Sequence, residues 1–83
     1  MKKLIFIQHA LDRMKERGIT EEMVRSALNY PDNIERIEEK RKIAQRFIEG
    51  KLLRIIYEED DEAISVVSAY RTSKVSKYYR GEE

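Results

Sequence analysis

Two amphipathic helices are predicted at the start of the chain, because apolar residues there recur at helical spacing. Between residues 8 and 17 these apolar residues fall on one side of a helical wheel. Gly18 is expected to end this helix, since glycine readily adopts the left-handed conformation that follows a helix C-terminus. A second helix is predicted from its N-cap Thr20 to about residue 29, because the residue before Pro31 avoids helical geometry.

The later part of the chain changes to the alternation of apolar and polar residues that is typical of strands. The predicted strands cover residues 33–39, 43–49, 52–58 and 63–72. Gly50-Lys51 is expected to close a two-residue hairpin. Residues 2–7 fit either an extended lead-in or the approach to the first helix, and residues 73–83 fit a polar tail that forms a short helix or a strap. The prediction is one α+β domain over residues 1–83, with two N-terminal helices packed on a four-stranded antiparallel sheet.

Hairpin pairing sorts the strand side chains between the two faces of the predicted sheet, because residues opposite one another share a face. Ser68, Tyr70 and Thr72 are expected on the face that packs against the helices, together with Arg46 and several aliphatic residues. Arg54 and Arg71 are expected on the other face, which is also partly apolar. An arginine among aliphatic residues needs an anionic partner, so this other face is a candidate surface for a polyanion or for a partner's helix.

Composition narrows the functions that these elements can support. The 83 residues have 40% charged side chains but a net charge of only +1, which argues against a nucleic-acid binder that acts by overall charge alone. The absence of cysteine excludes disulfides and thiolate metal sites and suits a reducing compartment. The apolar residues 4–7 are too few for a signal peptide or a membrane span, so we expect a cytoplasmic protein without membrane contact.

A row of basic residues follows the edge of the apolar side of the first predicted helix. His9, Arg13 and Arg17 are spaced four residues apart, which places them within an arc of roughly 80°. The chain has one histidine and no Gly-rich phosphate loop, so neither a metal site nor a cofactor is expected. What remains is metal-free chemistry by histidine, arginine, lysine and tyrosine. Metal-free RNA cleavage uses such a set, with His9 to exchange protons and arginines to stabilise the charge on the phosphate.

Other basic and aromatic residues extend this hypothesis along the chain. The guanidinium fork matches phosphate oxygens, and further candidates for phosphate contacts are Arg46, Arg54 and Arg71. Tyrosine rings stack on bases or donate a proton, and the candidates are Tyr70 and Tyr78. The polar tail adds the basic residues Lys74 and Lys77.

Each candidate also has a purely structural explanation. A histidine at a helix start, such as His9, is often an ordinary surface residue. Arg13 and Arg17 can pair with Glu16 on the same helix, and the strand arginines can pair with Glu58. The tyrosine of the last strand can belong to the core. The basic row is therefore either one wall of a phosphate site or a solvated helix face.

Two motifs are similar to those of a small uncharacterised prokaryotic domain family. The first motif, His9-Ala-Leu-Asp-Arg13-Met-Lys-Glu-Arg17-Gly18-Ile19, resembles the HAxxRMxxRGI start of that family. The second, Tyr70-Arg-Thr-Ser-Lys-Val-Ser-Lys-Tyr78, resembles its YxTSKxxKY end. The family is grouped with the RelE-like, barnase-type nuclease fold, and the second motif is also similar to that of BrnT-type toxins.

The resemblance implies a RelE-like two-layer domain that acts as a toxin-like, metal-independent ribonuclease on RNA phosphodiester bonds. It also implies a toxin–antitoxin pair, in which a small antitoxin protein is the partner. The residues to which the resemblance assigns function are His9, Arg13, Arg17, Tyr70, Thr72 and Lys74. One alternative is a non-catalytic RNA- or protein-binding module that uses the same sheet face. Another is a homodimer that buries the apolar residues Phe47, Ile56 and Val67.

Overall fold

Two helices lie on one face of a five-stranded sheet in the part of the chain that the structure describes. The structure is a computed structural model and describes residues 2–75. The helices are α1 (Gln8–Arg17) and α2 (Glu21–Asn29). The strands are β1 (Lys3–Phe6), β2 (Asn33–Arg36), β3 (Arg41–Ile48), β4 (Lys51–Glu59) and β5 (Ala63–Thr72). Across the sheet the strands follow the order β1-β5-β4-β3-β2.

Both helices begin and end as the sequence predicts, because their boundary signals are local. Gly18 follows α1 in the left-handed conformation, with φ at 68°, and the backbone N–H of Ile19 donates to the Met14 carbonyl at 2.9 Å. Thr20 caps α2, since its Oγ1 accepts a hydrogen bond from the Met23 backbone N–H at 3.1 Å. These contacts satisfy backbone groups that the end of a helix leaves unpaired, so the bounds depend on neighbouring residues.

The prediction of a four-stranded antiparallel sheet is wrong, because Lys3–Phe6 forms a fifth strand. β1 pairs with β5 in parallel, with Leu4 opposite Ile64 and Phe6 opposite Val66, so the sheet is mixed. A strand of four residues with alternating burial fits the edge of any sheet, and its sequence does not specify the partner or the direction. The fold remains α+β, but the edge strand next to β5 comes from the start of the chain.

Two strand bounds on the far side of the sheet also differ from the prediction. β2 ends at Arg36, three residues early, because the backbone N–H groups of Ile37 and Glu38 both donate to the Arg41 carbonyl. These bonds make the segment between β2 and β3 a turn. β3 accordingly begins at Arg41, two residues before the predicted start.

The main hydrophobic core lies between the helices and the sheet. Its buried members are Ala10, Met14, Ile19, Val24, Ala27, Ala44, Leu53, Ile55, Tyr57, Val66 and Ala69. Burying one large aliphatic side chain stabilises a fold by roughly 1.5–3 kcal/mol. α1 packs mainly against β5, whereas α2 packs against β3 and β4. The core therefore fixes the position of α1 over the last strand of the chain.

A β-bulge in β5 changes which side chains face the helices. Tyr57 lies opposite Val66 and Ile56 lies opposite Ser68, so Val67 is an extra residue in β5. One extra residue moves every later side chain of that strand to the other face of the sheet. After the bulge, each β5 side chain therefore lies on the face of the sheet opposite to the one it would occupy in a regular antiparallel ladder.

Because of the bulge, the sheet faces predicted for the later residues of β5 are wrong. Ala69 and Arg71 face the helices, since they lie opposite residues of the main core on β4. Tyr70 lies opposite Arg54, and Tyr70 and Thr72 turn to the face away from the helices, which we call the second face. The predicted faces of Tyr70, Arg71 and Thr72 are therefore wrong. The predicted faces of Arg54 and of Arg46, which lies opposite the core residue Leu53, agree with the structure.

Candidate functional site

Two arginines fasten the C-terminal end of α1 to β5. The partner strand β1 pairs with β5 only as far as Val66, so the later residues of β5 lack a strand on that side within the described chain. Arg17 Nη1 donates to the Ala69 carbonyl at 2.9 Å and thereby satisfies one edge group of β5. Arg71 Nη2 donates in return to the Arg17 carbonyl at 2.6 Å. This last contact places a cation at a helix C-terminus, where the helix dipole favours positive charge.

The two guanidinium groups keep most of their hydrogen-bond donors after making these contacts. A guanidinium has five N–H groups in a planar fork, and each arginine uses one nitrogen for the carbonyl just described. Arg17 and Arg71 also have exposed side chains. Two neighbouring cations with spare donors favour an anion between or beside them, because the anion relieves their mutual repulsion.

A concave surface of about 550 Å³ opens beside this pair, and we call it the β5 groove. Its described lining residues are Arg17, Lys51, Ile56, Ser68, Tyr70 and Arg71. Three of these six residues are cations, two bear hydroxyl groups, and none is a carboxylate. Lys51 comes from the start of β4, whereas Ser68 and Tyr70 follow the bulge in β5. The β5 groove is therefore a positively charged site with one aromatic ring.

A second concave surface of about 440 Å³ adjoins the β5 groove on the side of α2. The two surfaces share Lys51 and Arg71. The adjoining one is more apolar, with Met23 and Leu53 in its lining, and it includes the carboxylate of Glu49. The positive charge is therefore concentrated in the β5 groove.

Tyr70 has a buried cation behind it on the second face. The guanidinium of Arg54 lies 5.7 Å from the centre of the Tyr70 ring, within the range of a cation–π contact. Arg54 is almost fully buried, and its Nη1 donates to Gln45 Oε1 at 2.5 Å. Its Nη2 lies 3.7 Å from Glu35, which supplies the anionic partner expected for a strand arginine. Arg54 therefore orients the Tyr70 ring and adds positive charge close to the β5 groove.

The structure separates His9 and Arg13 from the β5 groove. His9 is exposed in the first turn of α1, and the rise of a helix places it about 12 Å from Arg17 along the axis. Arg13 Nη1 pairs with Glu16 at 3.3 Å on the exposed side of the same helix. The ionic explanation fits Arg13, whereas Arg17 contacts β5 as part of the groove.

The other predicted residues divide between structural contacts and the second face. Arg46 Nη1 donates to the Tyr30 carbonyl at 2.7 Å, at the C-terminal end of α2 and two strands away from β5. The Thr72 hydroxyl accepts from the Lys74 backbone N–H at 3.0 Å, and the Lys74 side chain is exposed. The predicted contact residues Lys77 and Tyr78 lie outside the described residues. The structure thus brings Arg17, Tyr70 and Arg71 together, but it does not place His9 with Tyr70 and Thr72.

Sequence reasoning missed three of the described lining residues of the β5 groove, namely Lys51, Ile56 and Ser68. Lys51 was expected to be part of a hairpin turn and nothing more, although its charge was a usable signal. Ser68 was assigned to the helix side because the bulge at Val67 leaves no mark in the pattern of apolar residues. One feature could have identified Lys51: it is a basic residue at the β3–β4 hairpin, which lies beside the C-terminal end of β5.

A separate charged cluster lies at the opposite end of β4, away from the β5 groove. Lys2 Nζ and Lys42 Nζ contact the Glu59 carboxylate at 2.6 and 3.0 Å. These two hydrogen bonds hold the pKa of Glu59 below its ordinary value. The pKa of Asp60 is also lowered, because its carboxylate accepts the backbone N–H groups of Glu62 and Ala63 in the β4–β5 turn. The Asp60 carboxylate therefore stabilises the turn, whereas Glu59 links the end of β4 to Lys2 and to Lys42 of β3.

Two further observations concern the chemistry that the described residues can support. Within residues 2–75, no group of three or more histidine, aspartate or glutamate side chains is arranged to hold a metal ion. Neither α1 nor α2 is long and apolar enough to cross a lipid bilayer.

Comparison with known proteins identifies the family but not the chemistry. Neither the curated proteins nor the solved structures contain a match to this chain. A family model described as a domain of unknown function, DUF4258, matches residues 6–71. The matched segment runs from the end of β1 to the penultimate residue of β5 and includes all of the described lining of the β5 groove. Because the match spans most of its length, the chain belongs to the DUF4258 family.

Proposed function

We propose that this protein binds RNA through the β5 groove, with the phosphate backbone held by Arg17, Lys51 and Arg71. The observation that supports the proposal is the meeting of three cations and a tyrosine in one concave surface whose described lining contains no carboxylate. Arginine and lysine are the residues that neutralise nucleic-acid phosphates. The two arginines are held in place by backbone contacts, so little side-chain freedom is lost when they bind.

The composition of the groove favours a single strand over a duplex. Tyr70 provides a ring on which an unpaired base can stack, and such stacking is worth roughly 1–3 kcal/mol per base. The contact with Arg54 restrains the Tyr70 ring before a base binds. Stacking on this ring does not select a particular base, because every base has an aromatic face. The volume of about 550 Å³ lies within the usual range of ligand sites. Binding of one or two nucleotides in the groove therefore fits its size and its chemistry.

Salt dependence and one matched pair of variants test RNA binding. With one phosphate for each of the three cations, the slope of log K against log salt should be about −2 for a single strand. Lys51→Ala should weaken binding and reduce the size of that slope by about 0.7. Lys40→Ala is the control, since Lys40 is an exposed lysine in the β2–β3 turn. The measurement is fluorescence anisotropy with a labelled single-stranded RNA.

Two results would contradict the proposal. One is the absence of RNA binding by the wild-type protein at low salt. The other is an equal loss of affinity in Lys51→Ala and Lys40→Ala, because that would mean a general effect of charge and not a site.

A second candidate function is the toxin-like, metal-independent ribonuclease, acting within a toxin–antitoxin pair. One observation favours it, namely that Tyr70, whose side chain carries an ionisable hydroxyl, lines the same groove as the proposed phosphate-binding cations. In this reaction a base removes the proton of the ribose 2′-hydroxyl, the 2′-oxygen attacks the phosphorus, and an acid protonates the departing 5′-oxygen. Tyr70 supplies the acid, a water molecule in the groove accepts the proton of the 2′-hydroxyl, and the three cations stabilise the charge on the phosphate. RNA binding is the first proposal because it requires only the three cations and the tyrosine ring, whereas cleavage also requires an acid and a base.

Product analysis separates the two functions. Labelled RNA is incubated with the protein in the presence of a chelator, and the products are resolved by gel electrophoresis. If the protein is a ribonuclease, Tyr70→Phe should keep the ring and the affinity for RNA but abolish the products. Loss of cleavage in His9→Ala with full activity in Tyr70→Phe would instead place the reaction at the start of α1.

A further inference from the structure

The edge of the sheet at β2 is unusually apolar for a surface. Tyr30, Ile34, Ile37 and Phe47 are 69%, 49%, 48% and 50% exposed, and all four belong to β2 or to segments next to it. They account for four of the six exposed large apolar residues in residues 2–75. Ile34 lies opposite the core residue Ala44, on the helix side of the sheet, whereas Phe47 lies opposite Leu52, on the second face, so exposed apolar residues flank this edge on both faces. Several such residues at one edge mark an interaction surface, whereas single exposed apolar residues need no explanation.

The backbone of β2 adds a second attraction at this edge. β2 is the outermost strand and pairs with β3, with Ile34 opposite Ala44. Within the described chain no strand covers its other side, so half of its backbone groups are available to another strand. An apolar edge strand with unpaired backbone groups is a template for pairing with a further chain.

We propose that the partner at this edge is a second copy of the same chain, which pairs β2 with β2 in an antiparallel, two-fold symmetric manner. In such a pair, the residue on the two-fold axis lies opposite the same residue of the second copy. The choice of this residue fixes all the other residue pairs of the two strands. The axis passes through Ile34. This register places Ile34 against Ile34, Asn33 against Glu35 and Asp32 against Arg36 of the other copy.

The charges of β2 select this register from the alternatives. An axis at Glu35 places two carboxylates directly opposite each other, and an axis at Arg36 does the same with two guanidinium groups. An axis at Asn33 places the apolar Ile34 against the charged Asp32. Only the axis at Ile34 gives an apolar centre with one Asp32–Arg36 pair on each side. Asp32 Oδ2 accepts the Phe47 backbone N–H at 2.7 Å, and its other carboxylate oxygen is the one that would pair with Arg36 of the second copy. The edge is thus complementary to itself.

The dimer leaves the β5 groove of each copy accessible. β2 and β5 are separated by two strands, which corresponds to about 14 Å across the sheet. The two sheets join at β2 into one sheet of ten strands, and the grooves lie toward its two outer edges. The inference therefore does not depend on the proposed RNA binding.

Disulfide trapping tests both the edge and the register, because the chain contains no cysteine of its own. In Ile34→Cys the two Cα atoms across the axis should lie about 4.5–5.5 Å apart, within the range of a disulfide. In Glu35→Cys the two Cα atoms should lie about 8 Å apart, which is too far. Ile5→Cys is the control for the opposite edge, since Ile5 is an exposed residue of β1.

The expected result under mild oxidation is rapid formation of a covalent dimer by Ile34→Cys and slow formation by the other two variants. Equal or faster cross-linking of Glu35→Cys would overturn the register. Equal or faster cross-linking of Ile5→Cys, or none in any variant, would overturn the edge.

Sedimentation equilibrium of the uncross-linked protein gives an independent measurement. Arg36→Asp replaces the ion pair by two facing carboxylates, so it should raise the dimer dissociation constant at least about tenfold. Lys3→Asp makes the same change of charge on β1, at the opposite edge, and should leave the constant unchanged. A wild-type protein that stays monomeric up to about 1 mM would overturn the proposal, because even millimolar dimers are visible there.

Discussion

Arg17 and Arg13 occupy the same row of α1 one turn apart, and replacing each by alanine separates a tertiary contact from a surface ion pair. Arg17 Nη1 donates to the Ala69 carbonyl on β5 at 2.9 Å in a part-buried position. Arg13 contacts Glu16 on its own helix, with the two side chains 41% and 61% exposed. Both variants remove one arginine from a helical position, so their helix propensities change alike.

The magnitudes follow from these contacts. A hydrogen bond from a charged donor contributes roughly 1.5–3 kcal/mol, and the solvent around a part-buried guanidinium lowers this value. The gain in helix propensity with alanine offsets a few tenths of a kcal/mol. Arg17→Ala should therefore lower the free energy of unfolding by about 1 kcal/mol. Arg13→Ala should lower it by less than about 0.5 kcal/mol, the value of an exposed helical pair.

Urea unfolding followed by far-UV circular dichroism measures both changes, and thermal unfolding provides a second measurement. For a chain of 83 residues, a loss of 1 kcal/mol corresponds to a fall in Tm of about 4–8 °C. The expected order is wild type, then Arg13→Ala, then Arg17→Ala. Equal unfolding midpoints for the two variants, or a larger loss in Arg13→Ala, would show that the Arg17–Ala69 contact does not hold α1 to β5.

Two further predictions concern stability. Lys2 and Lys42 lower the pKa of Glu59, so the ionised Glu59 stabilises the fold. This contribution is fully present at a pH above the unfolded-state pKa of about 4.5, and it is lost as the pH falls through the lower pKa of the folded state. Glu59→Gln should therefore flatten the loss of stability in acid, as measured by urea unfolding across pH, and an unchanged acid slope would contradict the assignment. Gly18→Ala should cost about 1–2 kcal/mol, because Gly18 has φ at +68°, where an L side chain is strained; the added Cβ itself would meet Arg71 Nη2 at an ordinary contact distance of 3.5 Å. An unchanged Tm in Gly18→Ala would show that the end of α1 rearranges without cost.

Features that depend on neighbouring residues could be predicted from the sequence. Gly18 and Thr20 act within one turn of the helix that they bound, and the structure confirms both helices at the expected residues. The hairpin between β3 and β4 is likewise local, but its loop residues are Glu49 and Gly50. The predicted loop Gly50-Lys51 is wrong by one residue, because Lys51 pairs with Ile48 as the first residue of β4. The match over residues 6–71 confirms the prediction of a small uncharacterised domain family.

Features that depend on distant pairing could not be predicted. The parallel contact of β1 with β5 joins the first and last described strands, and nothing within Lys3–Phe6 specifies that partner. Val67 is apolar, like its neighbours in β5, so its role as the extra residue of a bulge does not show in the pattern. This one residue decides that Tyr70 turns to the second face and that Arg71 turns toward α1.

The sequence by itself determined the two helices, the α+β class and the set of basic residues from which a site can be built. The tertiary structure alone decided which of those residues meet. His9, Arg13 and Arg17 are equivalent in helical spacing, yet only Arg17 reaches β5, because β1 ends at Phe6 and leaves the Ala69 carbonyl without a strand partner. The physical reason is that helical spacing is set by local backbone geometry, whereas a groove requires surfaces from distant segments to pack together.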